Sequence, residues 1–162
     1  MSPSIRVLLI AFNWVFFHIG SGFATHRMPM SWFDRGTSRS RVLEAEARFY
    51  RRYLFVHRWK DLLPEAGAMF AGGFAKRSFP AESRRDRAFI QRFIAETRRA
   101  ELTHWLPIVL SVTFFLWNPP AIAMWMPVYA VLTNLPFILV QRANRPRLMR
   151  LAARNSRVGR EQ

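Results

Sequence analysis

From Leu102 to Val140 the chain runs 39 residues without one Asp, Glu, Lys or Arg. Asn118-Pro119-Pro120 divides this run into pieces of 16 and 20 residues, and a helix needs roughly 17–25 residues to cross a hydrocarbon core. The run therefore reads as a membrane hairpin with arms at 102–117 and 121–140. Glu96-Thr97-Arg98-Arg99-Ala100-Glu101 precedes it and Gln141-Arg142-Ala143-Asn144-Arg145-Pro146-Arg147 follows, so polar chemistry gathers at the mouth of the hairpin. A further apolar run, Val7 to Gly22, carries no charge. The predicted fold is an all-α membrane protein with three membrane helices in a single domain, 1–162. Its parts are an N-terminal helix over 5–24, a helical interfacial region over 27–101, the hairpin over 102–140 and a basic tail over 141–162.

The net charge of +15 comes from 23 Arg and 2 Lys against 10 acidic residues. Such a balance ordinarily raises nucleic acid as a partner, but its distribution argues for a membrane. Residues 27–101 hold 17 basic and 9 acidic side chains, the tail 141–162 holds 7 and 1, and the first 26 residues hold Arg6 alone. With loop and tail both cytoplasmic, every basic cluster follows the positive-inside tendency. The expected location is the cell membrane, multi-pass, with membrane lipid and no nucleic acid as partner. Arg6, the apolar run and Ser21-Gly22-Phe23-Ala24 also fit a signal peptide. Cleavage and export would place the Arg-rich loop on the wrong side, which favours an uncleaved helix. The absence of cysteine excludes disulfide and thiolate chemistry.

The region between the apolar runs reads as two amphipathic helices around a turn-rich connector. In the first, Val42, Ala45, Phe49, Tyr53 and Val56 recur at helical spacing, and Glu44 and Arg48 stand one turn apart. Aromatic residues beside Arg51, Arg52, Arg58 and Lys60 suit an anionic membrane surface, and equally a small core with a solvated charged face. The connector, Pro64 to Arg77, combines a proline and three glycines with apolar residues and matches no phosphate-binding pattern. The second helix is expected to start near Ser83, with Asp86 in its first turn. Its stripe of Ile90, Ile94 and Thr97 continues through Glu101 to His104, while Arg92, Glu96 and Arg99 follow another. Pro107 removes a backbone bond one turn after Thr103 and predicts a bend beside His104.

Glu101 and His104 therefore fall one turn apart on the buried face, at the boundary of the apolar run. An imidazole oriented by a carboxylate suits removal of a hydroxyl proton, and ionisable residues at membrane depth are costly enough to point to function. The structural alternative is a satisfied histidine on an apolar helix. Glu-x-x-His also occurs in di-iron bundles, which require a second such motif and two more carboxylates; this chain has one, so no metal is expected. Arg98 and Arg99 meet Arg142, Asn144, Arg145 and Arg147 across the mouth and are candidates for holding phosphate or carboxylate, or for anchoring to anionic headgroups. Thr133 and Asn134 in the second arm are placed to hydrogen-bond across to the first.

Several segments resemble one family. They are Tyr53 to Pro64, which contains His57, Arg58, Trp59 and Lys60; Gly72-Gly73-Phe74-Ala75-Lys76; Phe93 to Trp105, whose most specific part is Glu96-Thr97-Arg98-Arg99-Ala100-Glu101-Leu102-Thr103-His104-Trp105; Asn134-Leu135-Pro136; and Gln141-Arg142-Ala143-Asn144-Arg145-Pro146-Arg147-Leu148. In this order, over residues 45–150, they resemble the glycosyl-4,4'-diaponeurosporenoate acyltransferase family of small bacterial membrane proteins. The resemblance implies esterification of a sugar hydroxyl on a glycosylated carotenoid, or a similar glycolipid, with a fatty acyl chain, as the last step of staphyloxanthin-type pigment synthesis. The donor expected for such a reaction is acyl-CoA or acyl carrier protein, and no cofactor is expected. On the local reading, His104 is the general base and Glu101 orients it, with Arg98, Arg99, Arg142, Asn144, Arg145, Trp59 and Lys60 as candidate substrate-binding residues. The competing class is a non-catalytic membrane adaptor or assembly protein whose Arg clusters bind anionic lipid.

Overall fold

The first helix, α1 (Pro3–Arg27), is set by its ends. The Ser2 side chain accepts from the backbone N–H of Ile5 at 3.4 Å, Pro3 occupies the first helical position, and His26 and Arg27 lie in the last turn, where the helix dipole favours positive charge. Its buried residues, Trp14, Phe17, Ser21 and Thr25, form one stripe at spacings of three and four. Leu8, Phe12, Val15, Phe16 and Ile19 are exposed, a contiguous apolar face of the kind that lipid covers. The computed structural model describes residues 2–34, 41–63 and 86–158, and no strand occurs among them.

After α1 a 3-10 turn, Met30–Trp32, folds back so that Phe33 is buried. The amphipathic stripe expected to run from Val42 to Val56 is interrupted. Helix α2 (Arg41–Arg52) stops, and Phe55 takes a left-handed backbone with φ 48° before the short α3 (Val56–Trp59) and a 3-10 turn, Lys60–Leu62. A non-glycine residue there is strained; the indole N–H of Trp59, donating to the Leu54 carbonyl at 2.8 Å, closes the corner. The predicted connector 64–77 and Ser83 lie outside the described residues.

Helix α4 (Arg87–Leu110) begins later than the expected Ser83. Asp86 caps it rather than sitting in its first turn, its Oδ1 accepting from Ala88 N at 2.9 Å and Phe89 N at 3.2 Å, because a short carboxylate satisfies two of the orphan N–H groups of a helix start. The helix runs on through Pro107 to Leu110 and then tightens to a 3-10 segment, Ser111–Leu116. The turn falls at Asn118-Pro119-Pro120, as the sequence indicates: Asn118 Nδ2 donates to the Phe114 carbonyl at 3.1 Å, and α5 (Pro120–Ala123) leads into α6 (Trp125–Val158). Helix α6 continues past Val140, so the hairpin's second arm and most of the basic tail form one helix.

Two of these helices are long and apolar enough to cross a membrane, Pro3–Arg27 and Pro120–Asn155. The first arm of the hairpin is instead the end of a helix whose first half is charged, completed by the 3-10 segment.

Helices α4 and α6 pack antiparallel and hold two apolar clusters apart. At one end Ile90, Phe93 and Ile94 meet Leu148, Met149 and Ala152; at the other Trp14 and Phe17 of α1 meet Phe114 and Ala130. Between the clusters lies a polar belt: Thr97, Glu101, Thr103, His104, Asn134, Arg142 and Arg145. Helix α1 joins it through Thr25 and Thr103, whose hydroxyls are 2.7 Å apart. Helix α2 docks on α6 through Glu46 to Arg142 at 4.0 Å and Glu44 to Arg150 at 3.9 Å.

The first cluster carries the pairing of α4 with α6. Ile94→Ala is expected to cost about 2–5 kcal/mol, whereas Leu132→Ala on the exposed face of α6 should stay within about 0.5 kcal/mol. Thermal loss of helical circular dichroism in detergent measures both.

Candidate functional site

The α4 stripe delivers Thr97, Glu101 and His104 to the interface with α6 at one-turn intervals, and α6 answers with Arg145, Arg142 and Asn134 in the reverse order. Thr97 closes back on the Ile94 carbonyl at 2.6 Å and accepts from Arg145 Nε at 3.2 Å. The carboxylate expected to orient His104 is committed to the arginines. Glu101 Oε1 accepts from Arg142 Nε at 2.6 Å and Oε2 from Arg145 Nη2 at 2.5 Å, with the indole N–H of Trp105 at 3.4 Å. Burial of Glu101 opposes its charge, but the hydrogen bonds from Arg145 and Arg142 outweigh that penalty and hold its carboxyl below the usual 4.5.

His104 finds its partner on the other helix. Its Nδ1 lies 3.0 Å from Asn134 Oδ1, and its ring stacks on Phe137 with centroids 4.6 Å apart and planes 12° apart. Asn134 is itself 1% exposed, and its Nδ2 donates to the Ala130 carbonyl at 2.9 Å and Thr133 Oγ1 at 3.2 Å. With the amide nitrogen so used, Oδ1 is the atom that faces the imidazole. Nδ1 then carries the proton, and in the neutral ring the basic lone pair belongs to Nε2. The cross-helix bond anticipated from Asn134 is therefore present, and it defines the tautomer.

The other candidates are distributed around this belt. Arg98 donates to the Phe33 carbonyl at 2.8 Å and ties the 3-10 turn after α1 to α4. Arg99 pairs with the buried Glu96 at 2.8 Å, and Arg147 is exposed. Beside Glu101 opens a cleft of about 580 Å³ lined by Trp32, Phe33, Arg98, Glu101, Leu102, Trp105 and Arg145. Arg99, Arg142, Asn144 and His104 are not among its lining residues, nor are Trp59 and Lys60. Those two belong to the corner after α2, where Lys60 pairs with its neighbour Asp61 at 3.2 Å. Sequence reasoning missed Trp32 and Trp105 as wall residues. The signal for Trp105 was its place one helical turn beyond Glu101, whereas nothing local marks Trp32, some 66 residues before Arg98 in the chain.

Residues 29–154 match the family model described as glycosyl-4,4'-diaponeurosporenoate acyltransferase. Proteins of that name from Staphylococcus aureus strains USA300 and NCTC 8325 / PS 47 are each 32% identical to the chain over 108 residues, 67% of this chain and 63% of the relative. The chain thus matches less than two thirds of the length of these curated relatives. No solved structure matches it.

The depressed Glu101 carboxyl has a definite sign. A folded-state value below the unfolded one contributes stability that is present above the unfolded value and lost as pH falls through the folded one. Wild type should therefore melt above Glu101→Gln at neutral pH, and the gap should close as pH drops below 4.5. Paired melting curves across acid pH read this directly.

Proposed function

This chain belongs to the glycosyl-4,4'-diaponeurosporenoate acyltransferase family, and from that premise we propose that it is a membrane acyltransferase that esterifies a sugar hydroxyl of a glycosylated carotenoid, or a similar glycolipid, in the last step of such a lipid's synthesis. The observation that carries the reading is the imidazole of His104, fixed in one tautomer by Asn134 at the depth where polar and apolar surfaces meet. Family membership supports the reaction class; the apolar faces of α1 and α6 support a membrane location. The charge distribution supports three membrane passages with residues 27–101 and the tail on the cytoplasmic side. Acyl-CoA or acyl carrier protein is the donor that such a side supplies.

In this reading His104 Nε2 takes the proton of the sugar hydroxyl as its oxygen attacks the thioester carbonyl. The carbon–oxygen bond forms, the carbon–sulfur bond breaks, and the imidazolium returns its proton to the departing thiolate. Asn134 is the positioning residue that holds Nδ1–H, and Phe137 fixes the ring plane. Arg98 offers positive charge toward donor phosphate or the developing oxyanion. Glu101 acts on the site by holding Arg142 and Arg145 in place. The acyl chain and polyene remain in lipid, so only the sugar and the thioester have to meet at the protein.

The test is purified protein in detergent with glycosylated acceptor and labelled acyl donor. His104→Ala is expected to lower transfer by about 10²–10⁴-fold with helical content unchanged. Near-normal transfer by that variant removes His104 from the chemistry. Absence of transfer by wild type with every donor, together with stable association with another protein, makes the chain an adaptor.

A further inference from the structure

We infer that the cleft between the turn after α1 and the face of α4 is a sugar-ring subsite, with Trp32 and Trp105 as its aromatic walls and Glu101, Arg98 and Arg145 as its polar floor. The inference rests on the acyltransferase reading for its role and on the cleft's own chemistry for its ligand. A pyranose presents an apolar C–H face and a rim of hydroxyls that both donate and accept. Exposed indole rings suit the first; Trp32 is 64% exposed and Trp105 39%. A carboxylate that accepts, between guanidinium groups that donate, suits the second. A cleft of about 580 Å³ also falls within the roughly 300–1,000 Å³ typical of small-ligand sites.

The position of the cleft specifies a lipid-borne sugar. Arg98, Leu102, Trp105 and Val109 follow one another at spacings of three and four along α4, and Val112 and Phe115 continue the line at the three-residue period of its 3-10 extension. The stripe begins at a cation and ends in apolar residues, of which Val109, Val112 and Phe115 are 64%, 60% and 46% exposed. A glycolipid fits this order, with its headgroup beside Arg98 and Glu101 and its tail along the outer face of the stripe.

The test measures binding, which keeps it separate from catalysis. The full chain is held in a detergent without a sugar headgroup and titrated with glycosyl-4,4'-diaponeurosporenoate and with the sugar-free acid. Wild type should bind the glycosylated lipid more tightly. Trp32→Ala, an exposed position whose loss leaves both apolar clusters intact, should weaken that binding about tenfold, or roughly 1.4 kcal/mol, and leave sugar-free binding unchanged. Trp32→Phe should restore most of the loss. Equal binding of the two lipids by wild type, or equal weakening of both in Trp32→Ala, overturns the subsite and makes the indoles interfacial anchors. Sugar-selective binding without any acyl transfer leaves the subsite standing and removes the enzymatic reading.

Discussion

The Glu101 carboxylate, gripped by Arg142 and Arg145, is the interaction on which the arrangement of the two long helices turns. It joins α4 to α6 at the level where the charge-free run begins, with an apolar cluster on either side. The side chains of Glu101 and Arg145 are only 12% and 9% exposed. Removing charges from water to that degree is expensive, and the expense is recovered only where geometry is good and every polar atom is matched. The second arginine's charge is offset by Glu46, 4.0 Å from Arg142. A planar guanidinium keeps a fixed direction and engages several acceptors at once: Arg145 reaches Thr97 through Nε and Glu101 through Nη2.

The belt around this clamp is held by hydroxyl and amide groups. Thr25 and Thr103 meet between α1 and α4, Thr97 bridges α4 to α6, and Asn134 spends its nitrogen on its own helix so that its oxygen can meet His104. Thr97 and Asn134 also donate to a carbonyl of their own helix one turn back, and whichever of Thr25 and Thr103 accepts from the other does the same, which fixes their rotamers. A polar belt built in this way is preorganised: the imidazole cannot turn without breaking the Asn134 bond and its stack on Phe137. Helix pairing and ring placement are thus carried by neighbouring but different groups, the clamp holding the helices and the amide holding the ring.

Much of this was legible in the sequence because it is local. Prolines at 119 and 120 mark the hairpin turn, a spacing of three and four carries the buried face from Ile90 to His104, and Asn134 stands where an amide in an apolar arm needs a partner. The partner of Glu101 was not legible. Helical spacing brought it within a turn of His104, while its arginines lie 41 and 44 residues away, and only the antiparallel register of α4 and α6 decides between them. The end of α2 was hidden for another reason: the apolar spacing continues from Tyr53 to Val56, but the backbone reverses at Phe55, a residue type that gives no hint of a left-handed turn.

The same register also grades the belt from polar to apolar. Crossing points at 97 with 145, 101 with 142 and 104 with 134 step the belt gradually from the charged end of the helix pair toward its apolar end. Arginine and carboxylate occupy the first two steps and an amide–imidazole pair the third, so the permanent arginine and carboxylate charges give way as the surroundings become more apolar. The cost of desolvation rises along the same direction. A histidine held by an amide oxygen therefore sits at a depth where a second buried carboxylate would be harder to sustain.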